Sequence, residues 1–117
     1  MSCYSSTDLV NWKFEGVVLP SAPEDESSEL HPSQVIERPK VIYNEKDSQF
    51  VMWMHIESPD YEKAHAGVAV CDSPTGRFKY LGSMKPNGED SRDQTILRID
   101  DGRAITSIPP SGIKHFT

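Results

Sequence analysis

The feature of this sequence that most restricts its fold is that it repeats itself. Laying Arg38 over Arg92 brings, without a gap, Val41 onto Thr95, Ile42 onto Ile96, Tyr43 onto Leu97, Asp47 onto Asp101 and Val51 onto Ile105. Strand-forming, turn-forming and again strand-forming residues therefore recur in register. A second overlay sets Trp12 on Phe78, Phe14 on Tyr80 and Gly16 on Gly82. In both copies a turn of small residues, Ser5–Asp8 and Asp72–Gly76, leads into the aromatic, polar, aromatic, X, Gly pattern. Similarity at a fixed spacing is the signature of a repeat architecture, in which each unit buries its apolar face against the next.

The local signals are those of strands. Phe50–Ile56 and Ala66–Cys71 are apolar runs of strand length, and the polar cluster Asn44–Ser48 separates the first of them from Val41–Tyr43. Asp100, Asp101 and Gly102 stand in the same relation to Thr95–Leu97 and Ala104–Ile105. Prolines and glycines fall mostly between these runs, so the chain reads as all-β, short antiparallel strands joined by turns. The two overlays interlock into a unit of four strands: the Val41 run, the Phe50 run, the Ala66 run, and Phe78 to Met84. Four antiparallel strands per repeat make the blade of a β-propeller. On this reading residues 1–20 are the outer half of one blade, 36–84 a complete blade, 92–108 the start of the next, and 109–117 a tail outside the pattern. An ordinary antiparallel meander with chance likeness between its hairpins is the alternative.

Charge narrows the partners. The formal net charge of −6 disfavours nucleic acid and anionic membranes, which are bound by clustered Lys and Arg. No apolar run approaches the roughly 18 residues of a membrane span. The acidic run Glu24, Asp25, Glu26, Glu29 lies among Ser and Pro and reads as a solvated loop. Cys3 and Cys71 lack metal-ligand spacing and are expected as buried free thiols. His31, His55, His65 and His115 are scattered, with no ligand pattern, so no metal and no cofactor is expected.

Five ordered stretches carry a resemblance: C-Y-S-S-T-D-L-V-N-W-K-F-E-G (Cys3–Gly16), E-R-P-K-V-I-Y-N (Glu37–Asn44), F-V-M-W-M-H-I (Phe50–Ile56), A-G-V-A-V-C-D-S-P-T-G-R-F-K-Y-L-G (Ala66–Gly82) and S-R-D-Q-T-I-L (Ser91–Leu97). Together they resemble glycoside hydrolase family 43, and within it the exo-β-1,3-galactanase group. The resemblance implies a five-bladed propeller with its site at one end of the central axis. It also implies secretion and a polysaccharide substrate of galactan or arabinogalactan type, from which galactose is released with inversion. Inversion needs a general acid and a group activating water, carboxyls roughly 6.5–9.5 Å apart in the usual case, often with a third carboxylate that raises the acid's pKa. The galactanase group departs at the base, where the usual aspartate is not retained. Another family 43 specificity, arabinofuranosidase or β-xylosidase, and a non-catalytic carbohydrate-binding or scaffold propeller are the competing readings.

By resemblance, Asp93 in S-R-D takes the place of the carboxylate that tunes and orients the acid. Its other reading is a strand-start aspartate bonded to nearby backbone amides. Glu37 in E-R-P-K matches a residue that binds sugar hydroxyls in the terminal subsite, or else is a surface glutamate paired with Arg38. Trp53 and His55, two residues apart on a strand, share a face. Trp53 is expected to pack between blades, and His55 to approach the sugar pocket.

The pattern fails at both ends. Upstream of Cys3 the family has further strands, and after Ile105 the residues Thr106–Ile113 replace the expected continuing strand, with Pro109–Pro110 stopping it. The general acid and the base have no candidates here, so the expectation is a fragment of a longer enzyme, inactive alone, corresponding to about two blades.

Overall fold

The computed structural model describes residues 1–108, 115 and 116, and the side chains of residues 1–105. The chain is all-β and its sheets are antiparallel. β1 (Ser2–Ser5) and β2 (Lys13–Val17) pair as one sheet; β3 (Val35–Asn44), β4 (Gln49–Glu57), β5 (His65–Cys71) and β6 (Lys79–Met84) follow one another in a second. β7 (Thr95–Arg98), β8 (Ala104–Ile108) and β9 (His115–Phe116) form a third. A single 3-10 turn, Pro86–Gly88, lies between the second and third sheets. β8 runs through Ile108, past the point where the sequence departs from the family pattern, because its backbone pairs with β7: Thr106 lies opposite Ile96 and Ser107 opposite Thr95. The Pro109–Pro110 stop expected in the tail lies outside the described residues.

The repeated motif has a structural cause. Cys3 lies opposite Gly16 and Tyr4 opposite Phe14, so Glu15 is the extra residue of a β-bulge. Val68 lies opposite Gly82 and Ala69 opposite Tyr80, so Leu81 is the extra residue of an equivalent bulge. Both glycines have φ near +120°, 120° at Gly16 and 128° at Gly82, which a side chain would oppose. The turn before the first copy is stapled by two side chains. Ser6 Oγ accepts from the Leu9 N–H at 2.8 Å, and Asp8 Oδ1 accepts from the Val10 and Asn11 N–H groups at 2.9 and 2.8 Å. These bonds hold the Asp8 carboxyl well below the usual aspartate range.

Alternation along β4 divides the molecule. Met52, Met54 and Ile56 point to one face and are buried with Ala69, Val18, Leu19 and Phe78. The first sheet docks on that face: the Phe78 N–H donates to Val18 O at 2.7 Å, while the Met1 amino group ties the ends of the first sheet together by donating to Leu19 O at 2.8 Å. Burying a side chain such as Met54 or Ile56 contributes on the order of 2–3 kcal/mol. Cys3 and Cys71 are free thiols, but only partly buried, at the margin of this core rather than inside it.

The 20–34 connection is not wholly solvated. Glu24, Asp25 and Glu26 are exposed as expected, whereas Glu29 is partly buried. It accepts from Tyr80 Oη at 2.6 Å and Ser83 Oγ at 2.5 Å, and pairs with Lys63 Nζ at 2.5 Å. Burial works to raise the Glu29 carboxyl, but Lys63, Ser83 and Tyr80 outweigh it and lower it.

The other face of β4 carries Val51, Trp53, His55 and Glu57. Trp53 stays partly exposed, lining a cleft of about 290 Å³ with Ile42, Val51, Arg98 and Ala104 between the second and third sheets. An ion pair from Arg98 Nη2 to Glu45 Oε1, 2.6 Å, also joins these two sheets.

Candidate functional site

The polar cluster stands where β4 ends. Glu37 lies directly opposite His55 in the β3–β4 ladder, so the two side chains share the face that β4 turns away from the core. Register is regular up to Glu37 and resumes with Lys40 opposite Trp53, leaving Arg38 and Pro39 to face a single residue of β4. Pro39 has no N–H for the ladder, and a bulge is one of the few places where a sheet accepts it. Arg38 sits in the left-handed region, φ 52°, which is uncommon for a residue with a side chain. The bulge separates two neighbours: Glu37 meets His55, and Arg38 is aimed at Asp93.

Glu37 is held from two sides. Tyr61 Oη donates to its Oε1 at 2.7 Å, and its Oε2 lies 3.4 Å from His55 Nδ1. Its side chain retains 40% exposure, so the carboxylate remains open to solvent on one side. The bond to Glu37 raises the Tyr61 hydroxyl above the usual tyrosine value and keeps it a donor. Glu37 is therefore not the partner of Arg38 that its place in the sequence suggests.

His55 is buried, 2% exposed, and its Nε2 lies 2.9 Å from Glu57 Oε2. Its ring meets Tyr61 edge-on, with centroids 6.3 Å apart. Both ring nitrogens thus face carboxylate oxygens. Neither Glu57 nor Tyr61 stood out in the sequence, although the alternation His55-X-Glu57 places Glu57 on the same face.

Glu57 is fully buried and is the hub of the cluster. Its Oε1 accepts the backbone N–H groups of Ser58, Lys63 and Ala64 at 3.1, 2.7 and 2.9 Å. Its Oε2 accepts from His55 and lies 3.7 Å from Arg92 Nε. Burial works to raise this carboxyl, but the bonds from Ala64, His55, Ser58 and Lys63 outweigh it and set it below the usual glutamate value. The loop so closed contains two residues in the left-handed region, Tyr61 at φ 59° and Ala64 at φ 51°. Glu57 supplies acceptors that offset this backbone strain.

Residues 90–94 dock on the same loop. The Ser91 N–H donates to Ala64 O at 2.8 Å, and Arg92 Nη2 donates to Tyr61 O at 2.8 Å. Arg92 Nη1 donates to Asp90 Oδ2 at 3.3 Å. The next residue, Asp93, pairs with Arg38, Oδ1 to Nε 2.7 Å. Both partners are mostly exposed, so the pair adds at most about 1 kcal/mol to stability and acts chiefly on orientation. The three residues singled out in the sequence thus fall into one connected cluster, Glu37 and His55 in contact and Asp93 joined to the bulge through Arg38.

The chain matches part of several solved structures. One is the exo-β-1,3-galactanase of Phanerochaete chrysosporium with galactose, 42% identical, TM-score 0.87, covering 93% of this chain and 25% of that one. Another is the exo-β-1,3-galactanase of Clostridium thermocellum, 37% identical, TM-score 0.80, covering 93% and 25%. A third is a family 43 β-1,3-galactosidase with galactodeoxynojirimycin, 32% identical, TM-score 0.87, covering 93% and 45%. The chain therefore spans from a quarter to under half of the proteins it matches. No protein-family model and no curated protein matches it.

Proposed function

The chain is homologous to part of the glycoside hydrolase family 43 exo-β-1,3-galactanases, and on that premise we propose that it supplies a share of the site of a hydrolase releasing terminal galactose from β-1,3-galactan. In this reading the four-stranded sheet is one blade of a five-bladed propeller, with strands of two neighbouring blades beside it. Glu37 binds hydroxyls of the terminal galactose, and His55 stands behind it. Asp93 is the carboxylate that orients the general acid and, by its charge, keeps that acid protonated. The reaction is an inverting hydrolysis: water adds to the anomeric carbon on the face opposite the breaking C–O bond and gives up a proton to a general base, while the leaving oxygen takes the acid's proton. In this reading the substrate is a polymer met outside the cell.

The observation that carries this reading is the state of Glu37. Its carboxylate is fixed by Tyr61 and faced by His55, yet its side chain is 40% exposed. A carboxylate accepts only, and a sugar offers hydroxyl donors in fixed directions, so a rigid, half-open carboxylate suits a galactose ring.

The test is a titration of the chain with galactose and with xylose, followed by tryptophan fluorescence, for the native sequence and Glu37→Gln. Galactose is expected to bind saturably and more tightly than xylose. The substitution should weaken it at least tenfold, since a hydrogen bond to a charged group is worth about 1.5–3 kcal/mol. Equal binding of the two sugars, or an unchanged galactose Kd in Glu37→Gln, contradicts the assignment.

A further inference from the structure

Glu57 is a buried carboxylate to which neither the sequence nor the likeness to other proteins gives a task. Taking a carboxylate out of water costs several kcal/mol, and well-packed apolar residues commonly do as well or better for stability. Its retention in the interior asks for a role that an apolar side chain cannot fill. The geometry supplies one. Each holding contact of Glu37 comes from a group that Glu57 itself fixes. His55, whose Nδ1 faces Glu37 Oε2, is bonded at its other nitrogen to Glu57 Oε2. Tyr61, whose hydroxyl reaches Glu37 Oε1, rides on the loop that Glu57 Oε1 closes through Ser58, Lys63 and Ala64.

We infer that Glu57 is a positioning residue for Glu37, setting the ring of His55 through one carboxylate oxygen and the hydroxyl of Tyr61 through the other. The inference rests on the reading of Glu37 as the sugar-binding carboxylate. Division of labour between the two oxygens is what makes it testable. A neutral imidazole with its proton on Nε2 donates to Glu57 and turns a bare Nδ1 to Glu37, which is then held through Tyr61; a doubly protonated ring donates to Glu57 and Glu37 together. Either way the Nε2 proton belongs to the contact with Glu57. Arg92 reinforces the arrangement, standing 3.7 Å from Glu57 Oε2 and donating to Tyr61 O at 2.8 Å.

The experiment compares the native chain with Glu57→Gln, which keeps the shape and one oxygen acceptor but removes the charge. Three quantities are read: thermal midpoint, galactose Kd, and the spectrum of the chain labelled with ¹⁵N-histidine and ring-labelled tyrosine. The native spectrum should show a solvent-protected Nε2 proton on His55. In the folded variant that protection should be lost, the Tyr61 ring signals should move, and galactose should bind about tenfold more weakly. A folded variant with the native galactose Kd overturns the inference, since a carboxylate whose contacts do not reach through to Glu37 would lower the thermal midpoint and leave that Kd alone. Should the variant fail to fold, the native spectrum decides, and a His55 ring with a bare Nε2 overturns the inference. If the native chain binds no galactose, the reading of Glu37 is what fails. Positioning is then judged on the spectra, where unmoved His55 and Tyr61 signals in Glu57→Gln would contradict it.

Discussion

The two faces of β4 solve opposite problems with the same strand. Met52, Met54 and Ile56 close an apolar core against the first sheet, and any well-shaped hydrocarbon serves there. Between them, Trp53, His55 and Glu57 project the other way, and the last two are buried polar groups that need named partners at bonding distance. The apolar face is robust because burial is non-directional. The polar face is held by directed bonds from the 58–64 loop that follows β4, from Arg92 further along the chain, and from Glu37 across the ladder. What one face gains from area, the other gains from geometry, and each should fail in its own way.

The largest effect belongs to the apolar face. Met54→Ala removes a fully buried side chain and should cost about 2–5 kcal/mol, read as a lower denaturation midpoint in urea. A loss well under 1 kcal/mol would mean that this face is not a packed core, and the contrast would fall. A smaller effect should come from the polar face under acid. The folded state sets the Glu57 carboxyl below its usual value of 4.5, so its contribution is present above that pH and is lost as pH falls through the lower folded value. Amide exchange should therefore quicken first at Ser58, Lys63 and Ala64, the donors to Glu57, while amides of Met52 and Met54 stay protected. Simultaneous loss of protection on both faces would show that the polar cluster has no separate stability.

The strands were readable in the sequence because their signals are local: apolar runs of strand length bounded by polar turns at Asn44–Ser48 and Asp100–Gly102. The aromatic-X-Gly repeat was visible too, though not its cause, the paired bulges at Gly16 and Gly82, since register is set by the partner strand. Glu29 was read with its acidic neighbours because the groups that bury it, Lys63, Tyr80 and Ser83, are distant in sequence. The alternative reading of Glu37, a pair with its neighbour Arg38, rests on adjacency in the same way. Only the bulge at Arg38 and Pro39 turns that arginine to Asp93 instead. Glu57 had no visible signal beyond alternation, because three of its partners are backbone amides, which every residue but proline carries.

The most direct test of the account is to map where galactose acts, by following the backbone amide and side-chain signals of the native chain through a galactose titration. The largest changes should fall on Glu37, His55, Tyr61 and Asp93, with the signals of Met52, Met54 and Ala69 unmoved. Changes centred on the core face, or spread evenly over both, would contradict the claim that the polar face of β4 is the sugar site.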